Sequence, residues 1–354
     1  MAFTTINKPG EYFNTKLYAG DGQSTHAITG VGFQPDWVWI KKRNGTGSHN
    51  LVDAVRGVQN AIMTDDTSAQ GTFSNNLSAF GTDGFTVGSG SLTNDNGYNF
   101  VSWNWRAGAG QGSSNTDGTI NTTYTSVNTT SGFSICQWEG TGANATIGHG
   151  LGAVPKMYIV KNIDASNDWN VYHHRMGNTH RLFLNTTAAK EDNASAWNDT
   201  SPTSSVFSIG TNTNVNQSGS TMIAYVFAEK QGFSKFGQYD GDGNTWGPFI
   251  YTGFKPAWIL WKRTDSANGW ILMDNKRPTV NSVSIDLNPV KYLLEAQSNA
   301  AEATASSYEV DYLSNGFKIK NTNNVFNNSS GTYVYMAFAA APLVGTNNVP
   351  CTAR

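Results

Sequence analysis

Residues 31–41 read VGFQPDWVWIK, and similar stretches return as LGAVPKMYIVK at residues 151–161 and as YTGFKPAWILWK at residues 251–262. The prolines Pro35, Pro155 and Pro256 mark the repeat, whose period is about one hundred residues or slightly more. That period is too long for one unit of a solenoid and is typical of a small domain with its own core. The chain is therefore predicted to contain three copies of one module.

The similarity extends over the whole of each copy. Each copy has a glycine-rich turn near its start and closes on an aromatic strand, at residues 100–105, 222–227 and 333–338. These landmarks predict domains at 1–107, 132–230 and 231–354, with a linker rich in Gly, Ser, Thr and Asn at 108–131. The third copy carries about ten extra residues around Asn288 to Ser307, which we predict as a short helical insertion, and it ends in a C-terminal tail.

The composition predicts an all-β protein. Short runs of Val, Ile, Tyr, Phe and Trp alternate with turn residues, and charged residues are only 14% of the chain. Eleven Trp, 18 Phe and 14 Tyr supply enough apolar area for three cores. We expect three tandem β-sandwich domains of the jelly-roll or lectin-like kind.

The strand that follows each repeat proline has four consecutive apolar residues, for example Trp37 to Ile40. A strand that is apolar on both sides must be covered on both faces. A lysine follows at the same place in each copy, at Lys41, Lys161 and Lys262. We predict a solvated strand end for these lysines, with contact to a substrate as the alternative.

Charge and hydropathy exclude several classes of partner. The net charge is −2 and no basic stripe is present, so a nucleic-acid partner is not expected. No stretch approaches twenty apolar residues, so no membrane partner is expected. The most apolar segment, residues 333–344, is about twelve residues long and has a proline near its end, which predicts a core strand. The N-terminus lacks the pattern of a signal peptide. Two cysteines, Cys136 and Cys351, are too few for a disulfide scaffold.

Acidic residues offer little sign of catalysis. No pair of carboxylates recurs across the copies, and neither a nucleophile elbow nor a phosphate-binding loop is present, so we expect no enzyme, no catalytic residues and no cofactor. Asp53 and Arg56 recur as Asp274 and Arg277, a spacing that predicts a structural clasp, with a ligand-binding role as the alternative.

Two clusters of possible metal ligands occur in the sequence. Asp240 and Asp242 begin a stretch that resembles a calcium loop, but it lacks the glycine and glutamate such a loop needs, so a turn is favoured and calcium is the alternative. His173, His174 and His180 stand at no recognised zinc spacing and are predicted to lie at a surface or interface. No metal site is therefore assigned.

Binding is expected at loop tips and at exposed aromatic residues. The loops at residues 44–48, 165–168 and 264–269 differ most between the copies, and loops on a rigid scaffold commonly carry binding. Tryptophans outside the repeat pattern could stack on sugar rings. The candidates from both groups are Asn44, Ser48, Asp168, Asp265, Trp138, Trp197 and Trp246.

Several motifs resemble one known kind of protein. The stretches at residues 132–135 with 148–157, 233–237 with 247–256, 313–319 and 330–338 resemble a module of bacteriophage tail-fibre and virion structural proteins, marine phages especially. The resemblance covers about Glu11 to Leu343. It brings no catalytic residues with it, and it implies a structural role in the virion.

The resemblance leaves the position on the particle open. It implies a non-enzymatic virion protein, made in the host cytoplasm, that acts as a tail fibre or appendage contacting the host surface. A capsid-decorating protein is the first alternative, and a carbohydrate-binding or carbohydrate-cleaving protein is the second. The implied partners are other virion proteins, a glycan or protein receptor on the host, and further copies of this chain, with a trimer favoured.

Overall fold

The computed structural model describes residues 3–277, 279–280, 283–284 and 288–350, and these residues are nearly all β-structure. The first unit contains β1 (Phe13–Ala19), β2 (His26–Thr29), β3 (Trp37–Lys42), β4 (Asn50–Asp53), β5 (Asn60–Met63), β6 (Gly71–Thr72), β7 (Leu77–Gly81), β8 (Gly84–Val87) and β9 (Asn99–Trp105). The second unit contains β10 (Tyr124–Asn128), β11 (Phe133–Glu139), β12 (Ala145–Gly148), β13 (Met157–Asn162), β14 (Asn170–His173), β15 (His180–Phe183), β16 (Glu191–Asp192), β17 (Val206–Ile209) and β18 (Thr221–Phe227).

The third unit contains β19 (Ser234–Asp240), β20 (Phe249–Tyr251), β21 (Phe254–Arg263), β22 (Trp270–Asp274), β23 (Thr279–Val280), β24 (Val283–Ser284), β25 (Tyr292–Glu295), β26 (Ala303–Thr304), β27 (Val310–Leu313), β28 (Gly316–Ile319) and β29 (Thr332–Pro342). The helices are single turns: α1 (Ala194–Trp197), α2 (Thr213–Asn216), α3 (Asn324–Asn327) and the 3-10 turns Pro9–Glu11 and Ser306–Tyr308.

Each unit is built on one large antiparallel sheet, and the three sheets share one strand order. The orders are β1-β9-β3-β4-β5-β6, then β11-β18-β13-β14-β15-β16 with β10 added at its edge, then β19-β29-β21-β22-β25-β26. A small sheet accompanies each large one, namely β2-β8-β7, β12-β17 and β20-β28-β27. The strand pairing thus repeats three times, as the sequence repeat predicts.

The strands that follow the repeat prolines are buried on both faces, which confirms the prediction from their unbroken apolar runs. In β3, Trp37 and Trp39 face a large central core, whereas Val38 and Ile40 face a core between the large and small sheets of the first unit. The alternation follows from the two-residue period of a strand. β13 and β21 divide their side chains between two cores in the same way.

The central core is shared by all three large sheets. Trp37 of the first unit stacks on Tyr225 of the second with ring centroids 4.4 Å apart, and Phe13 stacks on Phe338 of the third at 5.0 Å. Phe227 and Phe236, from the second and third units, lie 6.0 Å apart. Each such ring gains stability from burial and from its aromatic neighbours, so the units stabilise one another.

Equivalent hydrogen bonds join the units in a closed cycle, from first to third, second to first and third to second. The backbone donors and acceptors are Gly47 N to Asn299 O, Asn167 N to Thr67 O, and Asn268 N to Thr187 O. The lysines repeat the pattern, with Nζ donating to the same carbonyls: Lys41 to Asn299, Lys161 to Thr67, and Lys262 to Thr187.

The prediction of solvated strand ends for Lys41, Lys161 and Lys262 is therefore wrong, because the neighbouring unit covers each of them completely. Their Nζ atoms donate to backbone carbonyls of their own loop and of the next unit. Burial lowers the pKa of Lys41 and Lys161 to about 8 and that of Lys262 to about 7, since the charged form is penalised away from water.

The predicted helix around Asn288 to Ser307 is also wrong. This segment forms β25, β26 and the turn Ser306–Tyr308. Leu294 of β25 faces the central core and Leu293 faces the core of the third unit, so alternate burial outweighs the helix preference of the Leu, Glu and Ala residues. The segment between the first and second units is ordered too: β10 pairs with β11, and Ile120 bridges to Ile147.

Candidate functional site

Large apolar side chains are exposed at few places in the described part of the chain, and three of them fall within residues 246–251 of the third unit. Trp246 is 70% exposed, Phe249 44% and Tyr251 52%. We call these three side chains the aromatic face. Most other aromatic rings in the described residues are buried in the cores, so these three exposed rings differ from the usual place of an aromatic residue in this sequence.

Strand β20 places two of these rings on the outside. Its central residue, Ile250, is buried in the core of the third unit, and side chains on a strand alternate between faces. Phe249 and Tyr251 therefore both point away from that core. They stand two residues apart on one strand, which is close enough for a single extended ligand to contact both.

Two rows of side chains cross the outer face of the small sheet. Phe249 pairs with Lys318, and Lys318 pairs with Asp311. Tyr251 pairs with Gly316, where an added Cβ would lie 2.1 Å from the Ile250 carbonyl oxygen. The same Cβ would lie 3.1 Å from the Phe249 ring, so this ring packs over the glycine on the outer face of the small sheet.

Charged groups border the aromatic face. The Lys320 Nζ lies 5.2 Å from the centre of the Trp246 ring and 3.6 Å from an Asp311 carboxylate oxygen. Both charged side chains are about one fifth exposed. The arrangement offers flat rings for stacking together with hydrogen-bond donors and acceptors at their edge.

The corresponding places in the other units carry no rings. Through the strand pairing, Phe249 and Tyr251 correspond to Ala27 and Thr29 in the first unit. In the second unit the corresponding residues are Thr146 and Gly148. There the segment before β10 covers the sheet, since Thr119 N donates to Thr146 Oγ1. The aromatic face is a feature of the third unit.

Of the tryptophans predicted to contact a ligand, only Trp246 is placed to do so. Trp138 and Trp197 are fully buried in the core of the second unit, so the exposure expected of them is wrong. Trp197 donates from Nε1 to the His180 carbonyl at 3.0 Å, which is a structural bond. Trp103 and Trp105 are buried, as predicted.

The predicted loop residues lie at separate places. Asn44 accepts a hydrogen bond from Asn99 N, Asp168 accepts one from Asn185 Nδ2, and Asp265 pairs with Arg263. Ser48 lies in the loop whose Gly47 is bonded to the third unit. In the described residues no hydrogen bond joins any two of the four, so they form no single cluster.

The ion pairs Asp53–Arg56 and Asp274–Arg277 are structural clasps, as predicted. Arg56 Nε donates to Asp53 Oδ2 at 2.5 Å, and Arg277 Nε donates to Asp274 Oδ2 at 2.6 Å, with all four side chains buried. Tyr225 of the second unit donates its hydroxyl to Asp53 at 2.7 Å. These clasps hold one unit to the next and lie away from solvent.

Neither the Asp240/Asp242 turn nor the group of histidines at residues 173–180 has the geometry of a metal site. Asp242 accepts from Asn244 N and Asn327 Nδ2, which fixes a turn, while Asp240 accepts from Thr332 Oγ1. His173 is buried at the interface with the third unit, where its Nε2 lies 3.3 Å from the Tyr335 carbonyl oxygen. Across residues 3–277 and 288–350, no three His, Cys, Asp or Glu side chains are gathered as metal ligands.

Phe249 and Tyr251 were missed as candidates. The run from Phe249 to Tyr251 has the same hydrophobic character as a core strand, and only the register shows which residue is buried. A comparison with the first unit points to these two residues, because Phe249 and Tyr251 stand where the first unit has the small residues Ala27 and Thr29.

The family model of the domain of unknown function DUF7483 matches residues 8–342, so the chain belongs to that family. No curated protein and no solved structure matches the chain. None of the helices in the described residues is long and apolar enough to cross a membrane.

Proposed function

We propose that this chain is a non-enzymatic structural protein exposed on a bacteriophage particle, where it binds saccharide on the host surface through the aromatic face. Its motifs resemble those of phage tail-fibre and virion proteins. The observation that carries the binding role is the cluster of Trp246, Phe249 and Tyr251 on the outside of an otherwise well-buried aromatic complement. A tail fibre or appendage is the position that makes use of such a surface.

We further propose that the three units are tandem β-sandwich domains of one jelly-roll or lectin-like kind. The common strand order supports this proposal, as does the core between each large sheet and its small sheet. The cycle of contacts makes one rigid support from the three units. A rigid support lowers the entropic cost of binding at its surface.

A saccharide fits the aromatic face better than a protein does. A stable protein interface buries about 800 Å² on each partner, whereas this surface consists of three rings bordered by Lys318, Lys320 and Asp311. Sugar rings have apolar C–H faces that stack on aromatic rings and hydroxyls that bond to charged neighbours. Both parts of a sugar ring therefore have a matching group here.

A glycan array tests the proposal directly. The variant Phe249→Ala/Tyr251→Thr gives the third unit the residues of the first unit, and Val154→Ala is the control because Val154 is also exposed but lies in the second unit. We expect binding to at least one bacterial surface glycan by the native protein and by the control, with loss in the double variant. Equal binding by all three proteins would refute the site.

The same samples test the absence of enzymatic activity. After incubation with the glycan that is bound, its chain length should be unchanged. Shortened chains would favour the carbohydrate-cleaving alternative, and no binding to any glycan would favour capsid decoration. Assembly into a homo-oligomer, with a trimer favoured, stays a prediction that light scattering on the purified protein can check.

A further inference from the structure

Strand β1 is the outer strand of the large sheet in the first unit, and in the described residues its free edge is unpaired. Directly after β1, Gly20 N donates to the Tyr98 carbonyl. Bonded pairs occur at every second residue of an antiparallel ladder, so the even-numbered residues of β1 bond to β9. The backbone N–H and C=O groups of Phe13, Thr15 and Leu17 therefore point away from β9.

In the second unit an added strand covers the corresponding edge. Ile135 corresponds to Thr15, because the two residues have the same register in their sheets. β10 pairs with β11 along this edge, and Ser126 lies opposite Ile135. The segment before β1 takes another course, since Thr346 N donates to Asn7 Oδ1 at 2.7 Å. It therefore supplies no strand that corresponds to β10.

In the third unit two side chains of the second unit close the edge. The residue that corresponds to Thr15 is Phe236. Phe236 N donates to Glu229 Oε2 at 3.2 Å, and His174 Nε2 lies 2.9 Å from the Phe236 carbonyl oxygen. Glu229 also forms an ion pair with Lys235 at 2.7 Å. A carboxylate and an imidazole thus take the place of a neighbouring strand.

Neither of these side chains is present where the first unit meets the third. Ala340 stands at the position of Glu229, and Asn275 stands at that of His174. A cavity of about 260 Å³ lies here, and Thr15, Asn275 and Ala340 are among the residues that line it. That volume equals about eight or nine water molecules. The cavity is the space beside β1 that larger side chains occupy beside β19.

The third unit contributes a positive charge to this cavity. Lys276 lines the cavity, and within the described part of the chain it forms no ion pair. Phe13 stacks on Phe338 of the third unit, so the face of β1 that carries Phe13 and Thr15 is turned toward that unit. A residue opposite Thr15 on an added strand would point the same way. An acidic side chain at that position would therefore enter the cavity that Lys276 lines.

We propose that the outer edge of β1 binds an extended, acidic segment of a partner protein, which adds to the sheet as β10 adds to β11. Backbone hydrogen bonds would join this strand to Thr15 and Leu17, and its acidic side chain would pair with Lys276. Addition of a strand to a free sheet edge is a common way to recognise an extended peptide. Leu17 is half-buried and Ala19 is exposed, so the edge opens to solvent toward the end of β1. The proposal does not rest on saccharide binding at the aromatic face.

Capped peptides with the sequence of residues 122–130, which include β10, are the probes. One peptide carries Ser126→Glu and the other Ser126→Lys, so the residue placed opposite Thr15 differs in charge. Fluorescence anisotropy should show that the native protein binds the Ser126→Glu peptide about tenfold more tightly than the Ser126→Lys peptide, as expected for one charge-assisted hydrogen bond. Amide hydrogen exchange within residues 13–19 should slow when the peptide is bound.

Two variants of the protein locate the site. Lys276→Glu should reverse the preference, so that the Ser126→Lys peptide binds more tightly. Asn275→His/Ala340→Glu installs beside β1 the two side chains that close the edge of β19, and it should weaken binding of the Ser126→Glu peptide at least about tenfold. Lys190→Glu is the matched control, because Lys190 is exposed and lies in the second unit, and it should leave the preference unchanged.

The proposal is overturned if neither peptide binds at millimolar concentration, or if Lys276→Glu leaves the preference unchanged. It is also overturned if a bound peptide does not slow exchange within residues 13–19. Protection of these residues that rises with protein concentration, without any peptide, would assign the edge to a second copy of this chain and would equally overturn it. Should Asn275→His/Ala340→Glu fail to fold, Lys276→Glu still decides the question.

Discussion

Raising the pH from 7 to 9 should make this protein more stable. Lys41, Lys161 and Lys262 are fully buried between units, and burial lowers the pKa of the first two to about 8 and of the third to about 7. In the unfolded chain a lysine has a pKa of about 10.5. Between these values the unfolded chain binds more protons than the folded protein, so the free energy of unfolding rises with pH.

The size of the effect follows from the pKa differences. Between the pKa of a lysine in the folded protein and its pKa in the unfolded chain, each pH unit raises the free energy of unfolding by about 1.4 kcal/mol for that lysine. From pH 7 to 9 this gives about 1.4 kcal/mol each for Lys41 and Lys161 and about 2 kcal/mol for Lys262. Cys136 acts in the opposite direction, because burial raises its pKa from 9.0 to about 12. Its stabilising effect is lost as the pH rises, at a cost of about 0.4 kcal/mol by pH 9.

Urea unfolding at pH 7, 8 and 9 measures this change, and we expect a net gain of about 4 kcal/mol. Lys161→Met should reduce the gain by about 1.4 kcal/mol, whatever it does to the stability at pH 7. Lys8→Met is the control, because the Lys8 side chain is 77% exposed and should leave the pH dependence unchanged. A flat or falling free energy of unfolding, or the same gain in Lys161→Met, would refute the reasoning.

Three further substitutions test the cores and the interfaces by urea unfolding at a fixed pH. Leu260→Ala should cost about 2–5 kcal/mol because Leu260 lies in the shared central core, and a loss below about 0.5 kcal/mol would contradict that placement. Tyr225→Phe should cost about 1.5–3 kcal/mol, since it removes a hydroxyl that donates to the buried Asp53 carboxylate; unchanged stability would count against the clasp. Trp138→Ala should cost about 3–5 kcal/mol because Trp138 is fully buried. Trp246→Ala should cost less than about 0.5 kcal/mol because Trp246 is exposed. Similar losses of stability in the two variants would contradict this difference in burial.

The repeat and the strands could be predicted from the sequence because local patterns determine them. A run such as Trp37 to Ile40 has no polar face, so its strand must be covered on both sides, and it is. The pattern does not say what covers it. The second face is covered by a core that three units share, and this core depends on contacts between residues far apart in the sequence, such as Trp37 with Tyr225.

The errors have the same physical origin. Lys41 follows an apolar run and looks like a strand end in water, but Asn299 of the third unit lies over it. Leu293 and Leu294 belong to a segment with good helix formers, and burial on two opposite faces makes it a strand. In each case tertiary contacts outweigh a local preference.

The candidate sites were predicted only in part. Trp246 was found because it stands outside the repeat pattern, whereas Phe249 needs the strand register to show that it faces outward.

The most direct test of the proposed function is to look for this chain in the reconstruction of a bacteriophage particle. The account predicts that the chain lies at an outward position on a tail appendage, with Trp246, Phe249 and Tyr251 facing away from the particle. If the aromatic face were packed against a capsid or tail protein, this result would contradict the proposal that the chain binds the host surface.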